Sequence, residues 1–179
     1  ESSVEPVIRK ALAIGADEAV RIDVEPSDSF QVAQEISLYA KDKSYDLIIA
    51  GRESIDYNTG AVPGMIAELL SLPFINACNG LSLDNNKVKL TREISGGKEN
   101  LTVDLPIVIG GQKGLVEESE LRIPNMRGIM SARTKPLEVL DPNQENSRFT
   151  NSHSFELPEE KADCHLVSSE DVSELVNLL

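Results

Sequence analysis

DLIIAGRESIDYNTGAVPGMIAELL, residues 46–70, passes through three kinds of sequence without a break. Leu47-Ile-Ile-Ala50 is short and continuously apolar, as a strand buried in a parallel sheet should be. Met65, Ile66, Leu69 and Leu70 recur at helical spacing, and Pro73 halts the pattern soon after. Between them runs a polar stretch, Gly51 to Val62. In an open α/β sheet, ligands bind beyond the carboxyl ends of parallel strands, which is where Gly51 falls. Thr59 and Gly60 stand close to the start of the helix, where unpaired backbone N–H groups and the positive end of the dipole favour a phosphate. Asp56-Tyr-Asn-Thr-Gly60 also suits an ordinary capped turn, so local chemistry leaves both readings open.

Reading outward from this stretch gives the same fold class. Val4, Val7, Ile8, Ala11 and Leu12 form one helical face that stops at Gly15, a natural left-handed cap. Ala19 to Val24 alternates like a strand, and Ser29 is placed to cap a helix carrying Val32, Ile36, Tyr39 and Ala40. Helix, strand, helix, strand predicts a parallel sheet covered by helices. After Pro73, Ala77 to Leu83, Lys87 to Ile94 and Leu101 to Ile109 read as strands, with Asp84-Asn-Asn86 and Gly96-Gly97 as turns of antiparallel hairpins. From Asp141 the sequence turns polar, and a helical signature returns only after Ser168 or Ser169 as cap. The expected organisation is an α/β body over residues 1–140, Rossmann-like, and a C-terminal arm over 141–179 that needs another surface to bury itself.

Composition removes several function classes. Across 179 residues, 30 acidic against 17 basic side chains give a net charge of −13, which disfavours non-specific binding to nucleic acid or anionic membranes. Aromatics are only 4%, too few for base-stacking platforms. No apolar run approaches the roughly 20 residues that span a bilayer, and ESSVEPVIRK has no signal-peptide core, so an intracellular protein is expected. Cys78 and Cys164 sit far apart in unlike contexts, which is neither a disulfide framework nor a zinc spacing.

Catalytic signals are sparse. Ser95-Gly-Gly-Lys-Glu-Asn100 approaches the phosphate loop of ATP pyrophosphatases, but such a loop must lead from a strand into a helix, and Leu101-Thr-Val-Asp-Leu105 alternates like another strand. A hairpin turn is the expectation. His153 and His165 lie in the polar tail without a metal-ligand constellation, and no Gly-x-Ser-x-Gly elbow is present. No metal site and no catalytic residue are assigned.

Five motifs occur in order: Leu12-Ala-Ile-Gly-Ala-Asp17; Gly51-Arg-Glu-Ser-Ile-Asp56 continuing through Thr59-Gly60-x-Val62 to Met65-Ile-Ala-Glu-Leu-Leu70; Arg92-Glu-Ile-Ser-Gly-Gly97; Leu105-Pro106; and Ile129-Met-x-Ala132. Together they resemble the beta subunit of an electron transfer flavoprotein, over most of residues 4 to 140. Relative to that family the sequence is N-terminally incomplete, since family members carry a strand and further elements ahead of the first motif. The resemblance implies an electron-carrier subunit, not an enzyme, in a heterodimer whose alpha subunit holds most of the FAD. It implies AMP as a structural cofactor on this subunit, in the loop formed by Gly51, Arg52, Glu53, Ser54, Ile55, Asp56, Tyr57, Asn58, Thr59, Gly60, Ala61 and Val62, with the phosphate near Thr59 to Val62. Bifurcating members carry a second FAD in place of AMP; Met65 matches the AMP type.

The resemblance also implies an exposed recognition loop, Arg122-Ile-Pro-Asn-Met-Arg-Gly128, that docks flavin dehydrogenases as electron donors. Met126 takes the anchor position usually held by leucine, with Pro124, Asn125 and Ile129 beside it. Methionine keeps the size and apolarity while adding adaptability. A quinone oxidoreductase or another acceptor would take the electrons on. Departures from the family pattern are Tyr57-Asn58 in place of an acidic pair, Pro63-Gly64 in reversed order and a longer Gln112 to Leu121 stretch. The implied location is the bacterial cytoplasm, or the mitochondrial matrix in a eukaryote. The competing reading is an adenine-nucleotide enzyme or sensor of the ATP-pyrophosphatase or universal-stress type, which would use Ser95 to Asn100 as its phosphate loop.

Overall fold

The structure is a computed structural model that describes residues 2–55, 58–143, 148–161 and 163–178. A 3-10 turn at Ser2–Val4 leads into α1 (Glu5–Ile14), which buries Leu12 and ends at Gly15, whose φ of 137° lets its N–H reach the Ala11 carbonyl. Strand β1 (Ala19–Ile22) follows, shorter than the alternation to Val24 predicts: Asp23 still donates its N–H to the Leu140 carbonyl, but Val24 turns back to bond Ile22. Helix α2 (Ser29–Ala40) is capped by Asp28 rather than Ser29, because the Asp28 carboxylate accepts the Gln31 N–H. Strand β2 (Leu47–Gly51) and helix α3 (Val62–Leu70) bracket the polar loop as expected.

The next segment forms β3 (Phe74–Asp84), β4 (Lys87–Ile94), β5 (Gly97–Asp104) and β6 (Ile107–Gly111). The expected single strand from Leu101 to Ile109 is therefore two. Pro106 has no N–H to give a ladder, and the chain changes direction there so that β6 enters the sheet parallel to β2 and β3. The strand order is β2-β6-β3-β4-β5, parallel on one side and antiparallel on the other. Asn85-Asn86 and Ser95-Gly96 make the two hairpin turns, with Asn85 and Gly96 at positive φ.

Strand β6 is the centre of the packing. Ile107 and Ile109 face a fully buried group with Cys78, Val88 and Leu90, while Val108 points to the opposite side, against Ala33 of α2 and Ile66 and Ala67 of α3. Period-two alternation in one strand thus builds two cores, and a buried side chain such as Ile66 contributes about 2–3 kcal/mol.

A separate two-stranded sheet pairs β1 with β7 (Leu137–Leu140), in parallel from Ala19↔Leu137 to Ile22↔Leu140. Helix α1 packs on α4 (Met126–Ala132), which starts at Met126 because Asn125 caps it, three residues ahead of the Ile129-Met-x-Ala132 segment expected to be helical. Beyond β7 the described residues contain one further element, α5 (Val172–Asn177), capped by Asp171 and not by Ser168 or Ser169. Among the described residues, no helix is long and apolar enough to cross a membrane.

Candidate functional site

The polar loop leaves β2 tied to its neighbour: the Arg52 N–H donates to the Gly111 carbonyl of β6 at 2.9 Å. It then folds back on itself. Asn58, at φ 51°, donates its N–H to the Ser54 carbonyl, and Gly60, at φ 56°, lies so close to the chain that a Cβ there would stand 3.4 Å from the Arg52 carbonyl oxygen. A residue other than glycine would be strained at both counts. Helix α3 starts directly afterwards with Ala61 at its cap position, which offers no side-chain acceptor to the first-turn amides.

These features enclose a cleft of about 260 Å³, lined by Gly51, Ser54, Thr59, Gly60, Val62 and Pro63 among others. The Thr59 hydroxyl lies 3.4 Å from the Ser29 hydroxyl, so the starts of α2 and α3 converge on it. At α2 the Asp28 carboxylate already satisfies the first turn; at α3 nothing in the side chains does. Hydroxyls, backbone amides and the positive end of α3 supply the chemistry that an oxygen-rich anion can use. Glu53 also lines it, but its carboxylate is paired with the Arg52 guanidinium.

On the other side of the loop a second cleft, of about 580 Å³, is lined by Arg52, Glu53, Ile55, Asn58, Gln112 and Lys113. Here Arg52 donates to Gln112 Oε1 at 2.9 Å, Gln112 Nε2 donates to Glu93 Oε2 at 2.6 Å, and Asn79 Nδ2 donates to Glu93 Oε1 at 3.1 Å. This relay fastens the loop to the hairpin strands. Gln112, Glu93 and Asn79 were not singled out from the sequence, although Gln112 stands just past Gly111, beyond the carboxyl end of β6, and the same rule that drew attention to Gly51 applies to it.

Of the sequence-derived loop residues, Gly51 to Ile55 and Asn58 to Val62 are brought together around the two clefts, whereas Asp56 and Tyr57 lie outside the described residues. Ile55 is 99% exposed and so stands clear of any core. The Ser95 to Asn100 stretch does not form a phosphate loop. Gly97 pairs with Ile94 and Asn100 with Thr91, so strand follows turn and no helix N-terminus is available there.

The second predicted surface lies at the start of α4. Met126 is 75% exposed, and Ile123, Ile129 and Met130 show apolar surface beside it. The Asn125 carbonyl oxygen of the side chain accepts the Gly128 N–H at 2.8 Å, which fixes the turn from loop to helix. Helix α4 rests on α1 by reciprocal capping: Arg9 donates to the Ala132 and Lys135 carbonyls at 2.8 and 2.7 Å, and Lys135 Nζ donates to the Leu12 and Ala16 carbonyls at 3.0 and 2.5 Å. Each cation thus neutralises the negative end of the neighbouring helix. A groove of about 600 Å³ between α1 and α4 contains Ala13, Pro124, Ile129 and Ala132, edged by Arg9, Lys10 and Arg133.

Comparison with known proteins identifies relatives of this chain. A family model described as the electron transfer flavoprotein domain matches residues 1–145. The chain is similar to the electron transfer flavoprotein subunit beta of Bacillus subtilis (strain 168), 36% identical over 141 residues that make up 76% of this chain and 54% of that protein. It is similar to the subunit of the same name from Homo sapiens, 34% identical over 140 residues, or 75% of this chain and 54% of that protein. With the Mus musculus subunit it is 31% identical over 180 residues, covering 96% of this chain and 69% of that protein. The chain spans about half the length of the first two. With the sheet, the loop and the α4 surface in the order those motifs require, the chain belongs to the electron transfer flavoprotein family, among its beta subunits.

Proposed function

We propose that this chain is the beta-subunit part of a heterodimeric electron carrier, with AMP held structurally by the 51–62 loop and FAD held mainly by an alpha subunit. The observation that carries the nucleotide reading is the α3 start: a helix N-terminus without a side-chain cap, opening on a cleft with the Thr59 hydroxyl and the side-chain-free Gly60. The donors fit a phosphate. Thr59 and the first-turn amides would bind its oxygens, Gly60 would let the backbone approach, and Arg52, held by Gln112, would brace the loop. When bound, the flavin supplies the electron-accepting and electron-donating chemistry; this chain orients the partners around it.

Met126, with Pro124, Asn125 and Ile129, is the docking surface for flavin dehydrogenases in this reading, supported by its exposure next to a basic-edged groove on an otherwise acidic protein. The division into a body to residue 140 and an arm from 141 belongs to the same proposal, with the arm seated on the alpha subunit. A quinone oxidoreductase or other acceptor receives the electrons, and the setting is the bacterial cytoplasm or the mitochondrial matrix.

Co-expression with an alpha subunit, followed by an absorbance spectrum and nucleotide extraction, tests this. A yellow complex releasing FAD and AMP in equal amounts is the expected result, and removal of residues 141–179 should weaken the complex at least tenfold. A second FAD in place of AMP would overturn the structural-cofactor assignment. Lack of any stable complex would overturn the subunit assignment.

A further inference from the structure

The root of the C-terminal arm is fastened to the same helix end that meets the nucleotide-type loop. Asp28 uses its two carboxylate oxygens for different tasks. Oδ1 accepts the Gln31 N–H at 2.8 Å and caps α2, whereas Oδ2 accepts the Phe149 N–H at 2.8 Å, the Thr150 N–H at 3.0 Å and, at 3.4 Å, the Thr150 hydroxyl. The Phe149 ring stands edge-on to the Phe30 ring, 4.5 Å between centroids. Further along α2 the buried Glu35 accepts the Asn143 N–H at 2.9 Å. The arm therefore contacts α2 at two places, at Glu35 through Asn143 and at the first turn through Phe149 and Thr150. One residue from Asp28, the Ser29 hydroxyl reaches Thr59.

Such an arrangement is more than a surface contact. A carboxylate that accepts three N–H groups from two chain segments forms charge-assisted bonds roughly twice as strong as neutral ones. Losing the arm's share frees the second oxygen but leaves the cap, so the helix survives while its first turn becomes more mobile. Thr59 would feel that mobility through Ser29. We propose that Asp28 is a clasp that couples the seating of the arm root, residues 148–150, to the order of Asn58, Thr59 and Gly60. A partner that pulls the arm away would loosen the loop, and whatever fills the loop would hold the arm closed, by the reciprocity that linkage requires.

The test is hydrogen exchange on the full chain, which needs no ligand. Three amides report separately: Phe149 on the arm, Gln31 on the cap, and Asn58, bonded to the Ser54 carbonyl, on the loop. Thr150→Pro removes an amide and a hydroxyl donor while leaving α2 untouched. It should speed exchange at Phe149 by about tenfold and, because the first turn of α2 loosens with it, at Gln31 and Asn58 by about threefold. Asp28→Asn, which keeps one oxygen and sets an NH2 group against the other segment, should act in the same direction. In a Ser29→Ala background the response of Asn58 to Thr150→Pro should vanish. Unchanged exchange at Phe149 in both variants would overturn the clasp. Faster exchange at Phe149 with Asn58 unmoved would overturn the coupling.

Discussion

Gly128 decides how closely α4 can sit on α1, and with it where Met126 points. A Cβ at that position would lie 2.4 Å from the Ala13 carbonyl oxygen, a backbone atom that cannot swing aside. Gly128→Ala should therefore push the helices apart, stretch the Arg9 and Lys135 caps, and cost about 1–3 kcal/mol in urea denaturation. An unchanged midpoint would mean that α4 is not seated on α1 as described. The two cysteines give a second check at this scale. Burial pushes the Cys78 thiol above its ordinary range and shields it from solvent, whereas Cys164 is exposed. A thiol reagent at neutral pH should modify Cys164 within minutes and Cys78 only on unfolding. Rapid labelling of both would contradict the packing of Cys78 against Val88 and Leu90.

Among the elements, α2 carries one pH-dependent cap, at Asp28. The Gln31 amide is the main cause of the lowered Asp28 pKa, partial burial opposes it, and the Phe149 and Thr150 amides add to it. Because the folded value lies below the unfolded one, the stabilisation is fully present above the ordinary aspartate range and is lost as pH falls through the lowered value. Urea midpoints of the wild type should therefore fall more steeply on acidification than those of Asp28→Asn, whose side chain does not titrate. Parallel curves would remove the carboxylate from the account. At α4, Met126→Ala should reduce the rate of electron transfer from a dehydrogenase at least fivefold while nucleotide content stays the same. Loss of nucleotide, or an unaltered rate, would separate Met126 from docking.

These same elements show what was legible beforehand. Helical faces at Val4 to Leu12 and Met65 to Leu70 and the apolar run Leu47 to Ala50 rest on local periodicity, so they could be read directly. The caps were harder, because Asp28 and Ser29 are adjacent and both side chains can accept a first-turn amide. Strand β7 went unseen: Leu137–Leu140 is four residues long, and its partner β1 lies far away in sequence. For the candidate site, the position of Gly51 to Val62 followed from strand and helix order, but the Arg52, Gln112, Glu93 and Asn79 relay joins four separate segments and exists only once the sheet is assembled.

At the scale of the whole molecule, the fold divides its duties. One face of β6 supports the helices that shape the loop, and the other supports the hairpin strands that brace it through Gln112 and Glu93. The α1–α4 pair and the β1–β7 sheet present Met126 as a separate unit. Between these two sheets the chain crosses twice, through α2 and through the 112–136 segment that contains α4, and among the described residues β2 is hydrogen-bonded on one side alone, to β6. Ile49, in the middle of β2, is 56% exposed. A row of unpaired backbone groups next to a bare isoleucine is a template for another strand. The chain on its own should thus self-associate as its concentration rises, seen as growing light scattering, and Ile49→Lys should suppress it. Preparations meant for binding work would then behave best dilute, or with that edge covered.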